Sequence, residues 1–203
     1  MILKRLKEAT RSRHTALESR LPLLDTHLAR NAYHEFVHLF FGYYEPLEKK
    51  LMAQPCWESI GFDYAERRKT PRLTADLMAL GDSAETVQGL ARCQNLPVLS
   101  NPGQVLGCLY VIEGATLGGQ IISRHLETAL GLGATSGASF FSGYGPQTGS
   151  RWKAFCAMLE ANAGRDGNDH NHDRDIVDSA RQTFETLGLW LFPQYPAFSA
   201  DTP

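Results

Sequence analysis

His14 stands in the middle of an N-terminal segment whose charged neighbours are spaced as a ligand-binding helix face would require. Glu18 follows it by four residues, so on a helix the two share a face. Lys7 precedes it by seven, at nearly the same azimuth and about 10 Å along the axis. An imidazole there can ligate a metal ion. Such a ligand normally needs a partner on its second ring nitrogen, which Glu18 could supply directly or through water. Lys7 could meet the rim of a large flat anion centred on His14. A plainer reading stands beside this one. Leu3, Leu6, Thr10, His14, Leu17 and Leu21 form an apolar stripe, so His14 can equally be a core histidine hydrogen-bonded to a neighbour. Lys7 and Glu18 would then be solvated charge, the role also expected of Lys4, Arg5, Glu8 and Arg13.

The second informative segment is Glu113-Gly-Ala-Thr-Leu-Gly-Gly-Gln120, preceded by Gly103 and Gly107. A glycine inside a helix costs about 1 kcal/mol relative to alanine, so something must offset Gly114, Gly118 and Gly119. Bare backbone lets another surface approach closely or lets the helix bend. In one reading Gly114 and Gly118 permit tight helix–helix packing. In the other, Gly118 and Gly119 let the helix pass over a flat ligand. Paired with a helix carrying an iron ligand, the second would hold a planar macrocycle between two helices. A small molecule such as O2 would bind on the glycine side. Histidine is a common haem ligand in proteins that handle oxygen.

These residues need helices to position them, and the patterning supplies them. Spacing of 3 and 4 dominates and alternating β-branched runs are missing, so the expectation is an all-α, single-domain chain of about seven helices. The first spans about Ile2–Arg20, ahead of Pro22. The second spans about Asn31–Ala53, with Tyr33, Phe36, Val37, Phe40, Phe41, Tyr44 and Leu47 on one face and Pro46 as a kink or break. A third runs from Thr70-Pro71 to Gly81 and a short fourth over Ala84–Cys93. The fifth, from Asn101-Pro102 to Leu130, carries the glycines. A Gly/Ser-rich loop follows to Gly149, then helices over about Gln147–Ala163 and Arg174–Phe192, joined by a polar connection over 164–173. Residues 1–193 form the domain and 194–203 a tail.

The totals bound the rest. The chain has 203 residues, one domain's worth, and a formal net charge of −2, which offers no field for nucleic acid. No apolar run reaches the ~18 residues a membrane helix needs and the N-terminus lacks a signal-like core, so no membrane and a cytoplasmic location are expected. Cys56, Cys93, Cys108 and Cys156 form no zinc pattern and read as small buried or partly buried thiols. His170 and His172 read as solvated loop residues. His34 and His38 could pair on a metal, but no third ligand is evident in the sequence, so they read as structural or surface residues. Arg124 and His125 suit the negative end of their helix. Trp152 and Trp190 read as packing residues.

Taken together, Lys7 to Glu18, Phe36 to Glu48, and Tyr110 to Gln120 resemble the haem oxygenase family, in order and spacing over about residues 3–192. They are most similar to its bacteriophytochrome-associated bacterial members. The resemblance implies a haem oxygenase-like multi-helical fold, with haem between a proximal and a distal helix. It implies haem as substrate and cofactor, O2 as co-substrate, and electrons from a reductase or ferredoxin. The products would be biliverdin, CO and free iron, with a bacteriophytochrome as a possible biliverdin acceptor. Under it His14 is the iron ligand, and Lys7 contacts a propionate with help from Arg11. Glu18 supports the imidazole, Arg151 and Lys153 are further propionate contacts, and Gly114, Gly118 and Gly119 form the distal wall. One departure matters. Many members carry an aspartate directly after the first distal glycine to anchor proton-delivering water, and here that residue is Ala115. A haem-binding or haem-delivery protein without turnover therefore stays open. So does a helical enzyme acting on another small molecule, which Lys7, His14 and Glu18 argue against.

Overall fold

The computed structural model describes residues 1–164 and 170–198, with the backbone alone at His170. Among these, nine α-helices and three 3-10 turns are present, and no strand. They are α1 (Ile2–Glu18), α2 (Arg30–Met52), α3 (Trp57–Ile60), α4 (Thr70–Leu80), α5 (Ala84–Gly89), α6 (Pro102–Leu130), α7 (Ser139–Ser142), α8 (Thr148–Asn162) and α9 (His170–Leu191).

Helix ends follow local chemistry. Asn101 caps α6, its side chain accepting from the Gln104 N–H at 2.9 Å, with Pro102 in the first turn and Gly131 left-handed beyond the end. Pro71 opens α4, and Gly81, at φ 113°, closes it. Pro46 does not break α2. Its missing N–H would strand the Gly42 carbonyl one turn back. That carbonyl instead accepts from the backbone N–H of Cys93 at 2.9 Å. The docking of residues 90–93 there explains why α5 stops at Gly89 rather than at Cys93.

The core is built on α9, which packs along α6 and α1. Ile176, Ala180, Phe184, Leu187 and Leu191 face inward from it at helical spacing. Its approach to α6 is close: a Cβ at Gly107 would fall 2.1 Å from the Ile176 carbonyl, and one at Gly103 would fall 3.0 Å from that of His172. These two glycines serve helix packing. By length and mean hydropathy α6 could cross a membrane, contrary to the sequence expectation, but half of that stretch is buried inside the domain. Val105, Leu106, Cys108 and Leu109 there are fully enclosed.

Three more expectations change. The buried stripe of α1 is Ile2, Leu6, Thr10, Arg13 and Leu17, so Arg13 occupies the interior and His14 does not. Helix α9 begins at His170, which places His172 in its first turn rather than in a loop; residues 165–169 of the polar connection lie outside the described residues. The C-terminal segment packs as far as Phe198. Tyr195 is buried and donates to the Arg13 carbonyl at 3.0 Å, and Arg13 lies 4.8 Å over the Phe198 ring. The four cysteines are unpaired thiols, three buried and Cys156 half-buried.

Candidate functional site

Helix α1 presents Lys7, Arg11, His14 and Glu18 on one exposed edge, beside its buried stripe. The His14 side chain is 53% exposed. Its Nδ1 lies 3.2 Å from Glu18 Oε2, and its ring meets Phe184 of α9 edge-on at 5.7 Å. The carboxylate thus engages Nδ1 and leaves Nε2 as the ring nitrogen that does not face it. Phe184 limits the positions the ring can take.

Two tethers relate the N-terminal segment to α6. Near the first, the Thr10 hydroxyl lies by the Tyr110 phenol; burial pushes that phenol up, with Thr10 working against the shift. At the second, His125 Nε2 lies 2.9 Å from the Asp25 carbonyl oxygen, where the turn Pro22–Leu24 runs against α6. His125 therefore ties two elements together rather than only favouring the helix end. The tethers occur in the same order along both segments, and about 22 Å of α6 separates them. As a whole, α1 packs along α9 and α8 rather than along α6. In chain order, His14 and Glu18 fall between these tethers on the N-terminal segment, and Gly114, Leu117, Gly118 and Ile121 fall between them on α6.

The glycines divide by neighbour. A Cβ at Gly119 would meet the Phe141 carbonyl oxygen at 2.9 Å, so this glycine admits the α7 backbone. A Cβ at Gly114 would touch the Trp152 ring at 3.5 Å. Nothing lies within 4 Å of a Cβ at Gly118. Leu117 and Ile121 beside it are 40% and 60% exposed, an apolar margin on open space. Ala115 is exposed.

Beneath this wall lies a polar cluster that reading the sequence does not find. Glu113, the residue before Gly114, is 1% exposed. Lys69 pairs with its Oε1, Arg67 donates to its Oε2 at 2.7 Å, and the Tyr144 hydroxyl donates to it at 2.8 Å. Burial holds the Lys69 ammonium below its ordinary range against the pull of Glu113. Burial, and then the Glu113 charge, push the Tyr144 phenol up. The available signal was a carboxylate between Ile112 and Gly114, the first charge in α6 after an apolar run. Such a charge must be paired when buried.

The proposed cationic contacts are not gathered at one point. Lys7 and Arg11 are exposed on α1 and Lys153 on α8. Arg151 stacks 4.8 Å from the Tyr144 ring centre, with Glu66 4.0 Å away, and so borders the Glu113 cluster. Trp152, between the two α8 residues, packs on Tyr110 and Phe155, and Trp190 donates to the Leu39 carbonyl, both as packing residues.

Comparison with known proteins agrees with this architecture. A Heme oxygenase from Xanthomonas campestris pv. campestris (strain 8004) is 31% identical over 101 residues, a stretch covering 50% of this chain and 56% of that protein. The heme oxygenase of Neisseria meningitidis, solved with NO and CO bound, superposes with a TM-score of 0.78 at 19% identity, over 100% of this chain and 95% of that one. The heme oxygenase of Leptospira interrogans gives 0.69 at 20% identity, over 93% and 98%. The family model described as Heme oxygenase matches residues 1–191. With that match over nearly its whole length, this all-helical chain belongs to the heme oxygenase family.

Proposed function

We propose that the chain binds haem between α1 and the Gly114–Ile121 stretch of α6 and opens it oxidatively to biliverdin, CO and free iron. The observation that carries this reading is the bare face of Gly118, margined by exposed Leu117 and Ile121 on α6, together with the His14–Glu18 pair on the exposed edge of α1. An exposed apolar face with few polar groups at its edge would suit a flat, largely apolar ligand carrying two carboxylates. His14 would ligate the iron through Nε2, with Glu18 holding the opposite nitrogen. Lys7 and Arg11, exposed on the same edge, would take propionates, with Arg151 and Lys153 as further contacts. Gly118 would let the ring lie against backbone, with Gly114 beside it making room for Trp152. When bound, the haem supplies the oxygen-activating chemistry. The protein fixes its orientation and excludes water. O2 as co-substrate, electrons from a ferredoxin or reductase, a bacteriophytochrome acceptor and a cytoplasmic location belong to the same proposal.

A second reading, haem binding without turnover, is favoured by Ala115, an exposed methyl at the position where the family resemblance would lead one to expect a carboxylate. One experiment separates them. Hemin is titrated into the purified chain, and ascorbate or reduced ferredoxin is then added under air. Turnover predicts a Soret band that decays as biliverdin absorbance grows. A stable complex supports the second reading, and no Soret band overturns both. His14→Ala is expected to change the iron spectrum and abolish turnover without unfolding the chain, since the side chain is half-exposed. An unchanged spectrum and rate in that variant would remove His14 from the site.

A further inference from the structure

We infer that His34, His38 and Asp82 form a binding site for one divalent transition-metal ion of the zinc class, separate from the proposed haem slot. His34 and His38 lie one turn apart on α2, their rings 4.4 Å apart. Asp82 comes from the turn between α4 and α5. Its backbone is fixed by an N–H bond to the Leu77 carbonyl at 3.0 Å, next to Ser83, whose side chain caps α5. The two Nε2 atoms converge on a single carboxylate oxygen, Asp82 Oδ2, at 2.8 and 2.7 Å. One candidate ligand atom from each residue lies within 4.8 Å of the others.

This donor set has the right chemistry for such an ion. Two imidazoles and one carboxylate, with water completing the shell, are a borderline nitrogen and oxygen set that suits zinc or ferrous iron and is poor for calcium or magnesium. Asp82 is 9% exposed, so its charge is concentrated, while His34 and His38 at 23% and 29% leave an entry path and room for water. Both side chains are anchored on structured backbone, which reduces the ordering cost of ligation. On binding, each imidazole would present its Nε2 lone pair, its proton passing to Nδ1 through solvent. The carboxylate would then coordinate the metal in place of accepting from the two rings. The ion would cross-link α2 to the α4–α5 turn.

The test titrates Zn2+ into the metal-stripped chain, without haem, by calorimetry and equilibrium dialysis, alongside His38→Ala, Asp82→Asn and His14→Ala. One equivalent is expected to bind wild type and His14→Ala and to raise their thermal midpoints. Binding should weaken about a hundredfold or more in the other two, since losing a direct ligand should cost at least as much as losing an outer-shell partner. Far-ultraviolet circular dichroism establishes that the variants are folded. Co2+ in place of Zn2+ should give visible d–d bands without thiolate charge transfer. No binding, equal binding in His38→Ala and Asp82→Asn, or a thiolate band pointing to the cysteines would each overturn the site.

Discussion

The Phe141 carbonyl oxygen stands 2.9 Å from where a side chain at Gly119 would begin, while the adjacent Gly118 faces open space. Two neighbouring glycines thus answer to different demands. Gly119→Ala must displace backbone, an overpacking cost of about 1–3 kcal/mol. That exceeds or cancels the helix-propensity gain of about 1 kcal/mol. Gly118→Ala keeps the gain and meets no atom. The two variants should move Tm in opposite or clearly unequal directions, each kcal/mol being worth about 2–4 °C in a domain of this size. Gly118→Ala, although the more stable, is expected to bind hemin more weakly by absorbance titration. Unaltered hemin affinity in that variant would take Gly118 out of the ligand wall.

The cluster under the glycines makes an asymmetric prediction. Glu113 receives Lys69, Arg67 and the Tyr144 hydroxyl, whereas Glu113 is the carboxylate that pairs with Lys69. Glu113→Gln therefore leaves a buried ammonium without its counter-charge, at a cost of about 3–5 kcal/mol. Lys69→Met leaves Glu113 still paired with Arg67 and should cost less. Urea unfolding midpoints should fall in the order wild type, Lys69→Met, Glu113→Gln. The reverse order for the two variants would mean that Arg67 and Tyr144 do not hold that carboxylate.

Legibility in the sequence tracks how local each feature is. The ends of α4 and α6 were readable because Pro71, Gly81, Asn101, Pro102 and Gly131 act within one turn. The four-residue helices α3 and α7 were not, since neither is long enough to show a period. The course of α2 through Pro46 could not be foreseen, because its rescue by Cys93 is a tertiary contact. The His14–Glu18 approach followed from helical spacing. Asp82 meets His34 and His38 from more than forty residues away, so the third member of that cluster stayed hidden. The placement of His14 at the edge of the buried stripe was misread for a physical reason. Arg13 takes the interior by pairing with Glu185 at 2.7 Å under a cover formed by Tyr195 and Phe198, and no local pattern announces a buried arginine.

The same cover yields a pH-dependent prediction. Tyr195 is buried against α1, and burial pushes its phenol from 10.0 up to about 12, with the Arg13 charge working against the rise. A raised folded-state value means that the folded chain holds this proton more tightly than the unfolded chain does. The corresponding stability is fully present below about pH 10 and is lost as pH rises through about 12. Tyr195→Phe removes this linkage together with the hydrogen bond to the Arg13 carbonyl, the latter worth about 1 kcal/mol. The difference in unfolding free energy between wild type and Tyr195→Phe should therefore be constant up to about pH 10 and shrink across the interval to about 12. Denaturant titrations of both proteins across that range measure it. A difference that stays constant, or widens with pH, would show that the C-terminal segment does not shield this phenol in solution.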